Sequence, residues 1–139
     1  MSIEAISRFK MRHQTIVDLL DQIQVLSRSY FQAKPKIREL RERLLAHLSH
    51  QDDEFFDHIR LSYKGDRHSV KLIEFLAHDL KDIKIKYLVF FEQYSGELAD
   101  IGSRNFPGEL IRFSREVLGR IKIEEEYLFP LLQKLGPDE

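Results

Sequence analysis

The chain contains no cysteine, which excludes disulfides, zinc ribbons, thiol nucleophiles and thiolate-held iron–sulfur clusters together. Histidine and carboxylate are left as the strong metal ligands. Proline and glycine are scarce, four and six in 139 residues, so few points can interrupt a helix. Charge of one sign is not in excess either. The 22 Lys and Arg face 23 Asp and Glu for a net charge of -1, and without a dense basic run there is no general attraction to phosphate backbones or anionic lipid. Neither a nucleic-acid nor a membrane partner is expected. Long apolar runs are missing: the longest, Tyr87 to Phe91, cannot span a bilayer, and Met1 to Lys10 lacks the apolar centre of a signal peptide. A cytoplasmic location is the expectation. What is present is an ordinary globular mixture, 42% hydrophobic and 32% charged, which argues against disorder. The length suits one domain over residues 1–139 that buries about two-thirds of its unfolded surface.

The few breaks divide the chain into four long segments, a spacing suited to helices rather than strands. The first runs from about Ile3 to Phe31, with Ile6, Phe9, His13, Ile16, Leu20 and Ile23 three or four apart on one helical face. Pro35 suits the first turn of the second helix, whose stripe is Ile37, Leu40, Leu44, Leu48, Gln51 and Phe55 and which should reach about Arg60. Lys64-Gly65-Asp66 reads as a loop. Val70 to Leu98 is apolar on more than one side, as expected of the most buried helix, and carries His78 and Asp82. A loop from Gly102 to Gly108, with Asn105 as N-cap and Pro107 just inside, opens a fourth helix that stops near Leu135, before Gly136 and Pro137. Pro130 should bend its last turns. Helices of roughly 25 to 30 residues are about 40 Å long and cannot bury their stripes alone. Short connections then make an all-α, up-down-up-down antiparallel four-helix bundle the natural solution. One internal echo supports two related helix pairs: His47 to Ile59 aligns without a gap on Arg120 to Leu132, placing Gln51-Asp52-Asp53 over Glu124-Glu125-Glu126.

Bundle cores make metal sites when imidazoles and carboxylates project inward from several helices. Candidates come from all four segments: His13; His47, His50 and Glu54; His78 with Asp82; and Glu124 with Glu125. A ligand set without sulfur favours iron, manganese or zinc, and a bridging carboxylate favours two ions. The second helix admits two registers, His50 with Glu54 or His47 with Gln51. The apolar stripe lies nearer the second, while the His-x-x-x-Glu spacing belongs to the first. On the fourth helix the same arithmetic groups Glu125, rather than Glu124, with Ile111, Leu118, Ile121 and Leu128, and a buried carboxylate there needs a cation or hydrogen-bond donors.

These residues resemble the hemerythrin-like, or HHE cation-binding, four-helix bundles. The resemblance covers nearly the whole chain, and its most specific piece is Glu124-Glu125-Glu126-Tyr127-Leu128-Phe129-Pro130. It implies non-heme iron, as one or two ions, with His13, His50, Glu54, His78 and Glu124 as ligands and His47, Asp82 and Glu125 in reserve. It also implies dioxygen or another small diatomic ligand as partner, with a role in oxygen or redox sensing or iron handling. One departure stands out: Arg120 occupies the place of the histidine expected four residues before Glu124. Arginine stays cationic and cannot ligate, so a surface ion pair between Arg120 and Glu124 is expected instead. No nucleophile–base pair or phosphate-cradling loop is recognisable, so the chain is not expected to be an enzyme.

Two other readings belong to different classes. Ala77-His78-Asp79-Leu80-Lys81 resembles the phosphoacceptor motif of histidine phosphotransfer domains, although Asp82 stands where a glycine is usual. Leu44 to Ile59 and Arg120 to Glu126 resemble, more faintly, the bacterial regulator of sigma D family. That resemblance implies a metal-free regulatory bundle that binds a protein partner.

Overall fold

The computed structural model describes residues 3–96 and 105–135, with side chains from Ile6 onward. Helix α1 spans Ile3–Val25, α2 Tyr30–Ser49, α3 Asp53–Ser62, α4 Arg67–Ser95 and α5 Phe106–Ile123. A wider, π-type turn over Glu124–Leu128 then leads into α6, Phe129–Gln133. The pairs α2–α3 and α5–α6 each act as one interrupted rod, and with α1 and α4 they form an up-down-up-down antiparallel four-helix bundle. Among the described residues no helix is long and apolar enough to cross a membrane.

The stripes close on one another as their spacing requires. Ile6, Phe9, Ile16, Leu20 and Ile23 of α1 are buried against Ile37, Leu40, Leu44 and Leu48 of α2 and the inward rows of α5 and α6. Each such side chain contributes about 1.5–3 kcal/mol by leaving water. One end of the core is aromatic: Tyr30 donates to the Tyr94 carbonyl at 2.6 Å, Tyr94 donates to Glu109 at 2.6 Å, and Phe90 stacks on Phe113 at 3.9 Å. The opposite end holds His13, His47, Gln51, Arg120 and Glu124, all buried.

Helix boundaries depart from the sequence reading where capping overrides it. The first helix ends at Val25 rather than Phe31, because Ser29 caps α2 by accepting from the Gln32 N–H. Pro35 therefore lies inside α2, and the carbonyl that its missing N–H would have served belongs to Phe31, an exposed residue. The second segment does not run unbroken to Arg60. It turns at His50–Asp52, and Asp52 starts α3 by accepting from the Phe55 N–H at 2.8 Å. Gly65 makes the expected loop with φ of 95°. Helix α4 starts at Arg67, capped by Asp66, and ends at Ser95, while Leu98 lies outside the described residues. It is not buried on every side, since Phe75, Ile85, Leu88 and Val89 are exposed. Pro107 sits in the first turn of α5 as expected, but Asn105 makes no side-chain cap bond. Gly102 and the Gly136-Pro137 stop lie outside the described residues. Pro130 acts by widening the helix ahead of it: it has no N–H for the Glu126 carbonyl, and the Phe129 N–H reaches back five residues to Glu124.

Candidate metal centre

Glu124 is fully buried, at 0% exposure, and is the hub of the polar end of the core. Its Oε1 accepts from His13 Nε2 of α1 at 2.7 Å and from His47 Nε2 of α2 at 2.9 Å. Its Oε2 accepts from Arg120 Nε at 2.9 Å and from Gln51 Nε2 at 2.9 Å. Burial alone would raise the Glu124 carboxyl, but the hydrogen bonds from His13 and His47, together with the neighbouring His47 and Arg120, outweigh it and hold the group well below the usual carboxylate range. An ionised carboxylate only accepts, so each imidazole carries its proton on Nε2. Both Nδ1 atoms are buried without a hydrogen-bond partner among the described residues.

Local structure explains the convergence. His13 lies between Phe9 and Ile16 on the α1 stripe and stacks on Phe129 at 5.5 Å, with 8° between the rings. His47 packs edge-on against Phe9 at 5.7 Å and against His13 at 4.9 Å. Gln51 sits in the turn between α2 and α3, held inward while Asp52 caps the next helix. Glu124 continues the buried row of Val117 and Ile121 at the point where the wide turn begins, and its neighbours Glu125 and Glu126 are exposed. Arg120, one turn earlier and 3% exposed, also donates to the Leu76 carbonyl at 3.2 Å, to Asp79 at 3.0 Å and to Gln51 Oε1 at 3.0 Å.

Of the residues singled out from the sequence, the structure brings together His13, Glu124 and the reserve ligand His47. The others stand apart. His50 and Glu54 are exposed, because the chain turns between them and they share no helix. His78 and Asp82 face solvent at 80% and 63% exposure, with His78 Nε2 3.8 Å from Asp82. The fourth-segment stripe is Leu110, Phe113, Val117, Ile121 and Leu128, with Ile111 and Leu118 outside it, so Glu124 and not Glu125 enters the core. Glu125 is 43% exposed, and its Oε1 lies 3.7 Å from His13 Nδ1. The Arg120–Glu124 pair forms, but inside the protein rather than on its surface. Asp79 was not singled out; its signal is its place between the buried Leu76 and Leu80 of α4.

One ligand atom each from His13, His47 and Glu124 lies within 4.8 Å of the others, so this group could hold a metal ion. A match to the hemerythrin HHE cation-binding domain runs over residues 4–132. The chain belongs to that family. No curated protein and no solved structure matches it. Two imidazoles and one carboxylate with open positions form a donor set suited to non-heme ferrous iron, and the unpartnered Nδ1 atoms can take up the ring protons when Nε2 ligates. For His13, Glu125 stands near as an acceptor. One cation therefore fits this member of the HHE family. The other oxygen of Glu124, Oε2, is held by a guanidinium and an amide.

Proposed function

We propose that the protein binds one divalent cation, iron foremost, through His13, His47 and Glu124, and serves in oxygen or redox sensing rather than in turnover. The observation that carries this reading is the meeting of two buried imidazoles from different helices on one oxygen of a carboxylate from a third, in a chain of the HHE family. Bound ferrous iron supplies a redox-active centre with positions open to a small diatomic ligand. The protein's own groups do the rest. Arg120 and Gln51 hold Oε2 and so leave Oε1 as the single oxygen offered. Phe9 and Phe129 fix the two rings and exclude water from them.

Anaerobic reconstitution with ferrous iron, followed by desalting and metal analysis, tests the reading. The expected result is close to one ion per chain, lost in His13→Ala and His47→Ala, with an optical change on admitting air. Retention of no metal would overturn it and assign the buried histidines to a structural network.

A further inference from the structure

The internal echo continues into the structure. Ile37, Leu40, Leu44 and Leu48 of α2 correspond to Leu110, Phe113, Val117 and Ile121 of α5, all buried, and both rods are interrupted where the polar groups lie. In this pairing His47 corresponds to Arg120 and Gln51 to Glu124. Each rod thus offers half of an imidazole–carboxylate pair spaced one turn apart. The α2 rod keeps the imidazole and has an amide in the carboxylate place, while the α5 rod keeps the carboxylate and has a guanidinium in the imidazole place. The two ligating members gather, with His13, on Oε1 of Glu124. The two non-ligating members bond to one another, Arg120 to Gln51 Oε1 at 3.0 Å, and both donate to Oε2.

We propose that Arg120 and Gln51 are a matched pair in which the guanidinium is a covalently tethered cation standing where a symmetric site would take up a second metal ion. Each member makes the other necessary. A carboxylate at position 51 would add an acceptor for a cation, whereas the neutral amide accepts from Arg120 and still donates to Glu124. Asp79 and the Leu76 carbonyl complete the arginine's partners, so no donor nitrogen of the guanidinium is left without one. The core charge on Glu124 is then balanced before any metal arrives. The protein folds without metal, and its capacity is limited to one ion. Only the ion count rests on the cation-binding reading above; folding without metal does not.

The test compares the wild type, Arg120→His, Gln51→Glu and the double variant, each titrated anaerobically with cobalt(II) and counted by metal analysis after desalting. The double variant is expected to hold one ion per chain more than the wild type, and neither single variant is. Arg120→His still faces a weakly ligating amide, and Gln51→Glu still faces a cation. No gain in the double variant, or a full gain in Arg120→His alone, would overturn the pairing. The difference between proteins is what counts, so a wild type that binds nothing refutes the one-ion reading and leaves this inference to its own result. A second measurement needs no metal. In chelator-treated protein, Arg120→Met should lower Tm by about 10 °C or more, with Arg120→Lys falling in between because it keeps the charge but not the fork. An unchanged Tm in Arg120→Met would refute the tethered-cation role.

Discussion

Arg120 donates from Nε to Oε2 of Glu124 at 2.9 Å, and neither side chain is more than 3% exposed. An ion pair one helical turn apart on a surface contributes a few tenths of a kcal/mol; buried, each member depends on the other for its solvation. Removing one partner strands a charge in the core and costs about 3–5 kcal/mol, whereas replacing both by apolar groups of similar volume costs far less. Chemical denaturation of metal-free protein should therefore show Arg120→Met and Glu124→Met each strongly destabilised, and the double variant well short of their sum. Strict additivity would mean that the two side chains do not act as a pair.

The same carboxylate gives the protein a specific acid sensitivity. Glu124 titrates from an ordinary value of 4.5 in the unfolded chain and from well below it in the fold. The unfolded state therefore takes up the proton first, and the stability that Glu124 confers is complete above about pH 4.5 and lost as pH falls further. Over that falling range one extra proton on the unfolded chain corresponds to about 1.4 kcal/mol per pH unit. Metal-free Glu124→Gln should have a lower stability at neutral pH but a shallower decline below pH 4.5. Parallel declines in the two proteins would place the acid sensitivity elsewhere.

The four-helix pattern was legible because apolar residues three and four apart mark a helix face without reference to tertiary structure, and His13 could be read directly from its place on such a face. The second-helix ligands could not. Choosing between His47 and His50 assumed an unbroken helix, and the turn at His50–Asp52 contains neither proline nor glycine; it is made by the tightened last turn of α2, with the His50 and Gln51 N–H groups on the His47 and Leu48 carbonyls, and by Asp52 capping Phe55. Among three consecutive glutamates, burial of the first follows from the same 100° arithmetic once Leu110, Phe113, Val117 and Ile121 are taken as the buried row; Ile111 and Leu118 offered a competing apolar row, and only packing against the other helices decides between the two. Arg120 was legible as a missing ligand but not as a core residue, since its burial depends on partners from the α2–α3 turn, α4 and the wide turn after α5 meeting at one point.

Exposure divides the His and carboxylate candidates into a buried group and an outer one. His50→Ala, Glu54→Ala, His78→Ala and Asp82→Ala remove exposed groups outside the buried His13–His47–Glu124 cluster, and each should leave metal retention and Tm within error of the wild type. His47→Ala should abolish retention. If His78→Ala also lost the metal, the ligand set would have to include the outer face of α4, which the observed side-chain directions do not bring to Glu124.

Tyr87 offers a test that sets polar satisfaction against packing. Its ring is buried against Phe113 at 5.5 Å, but its hydroxyl has no hydrogen-bond partner among the described residues. Burial, with Glu124 adding to it, pushes the phenol well above its usual range, so the group stays neutral and carries only the cost of lost hydration. An unsatisfied buried hydroxyl costs about 1–3 kcal/mol, while the ring contributes its full apolar area either way. Tyr87→Phe should therefore be at least as stable as the wild type, by up to about 1 kcal/mol in urea unfolding, and Tyr87→Leu should be less stable because it leaves a cavity beside Phe113. A clear loss of stability in Tyr87→Phe would mean that the hydroxyl is bonded in solution, with a water in the polar core as the partner to seek.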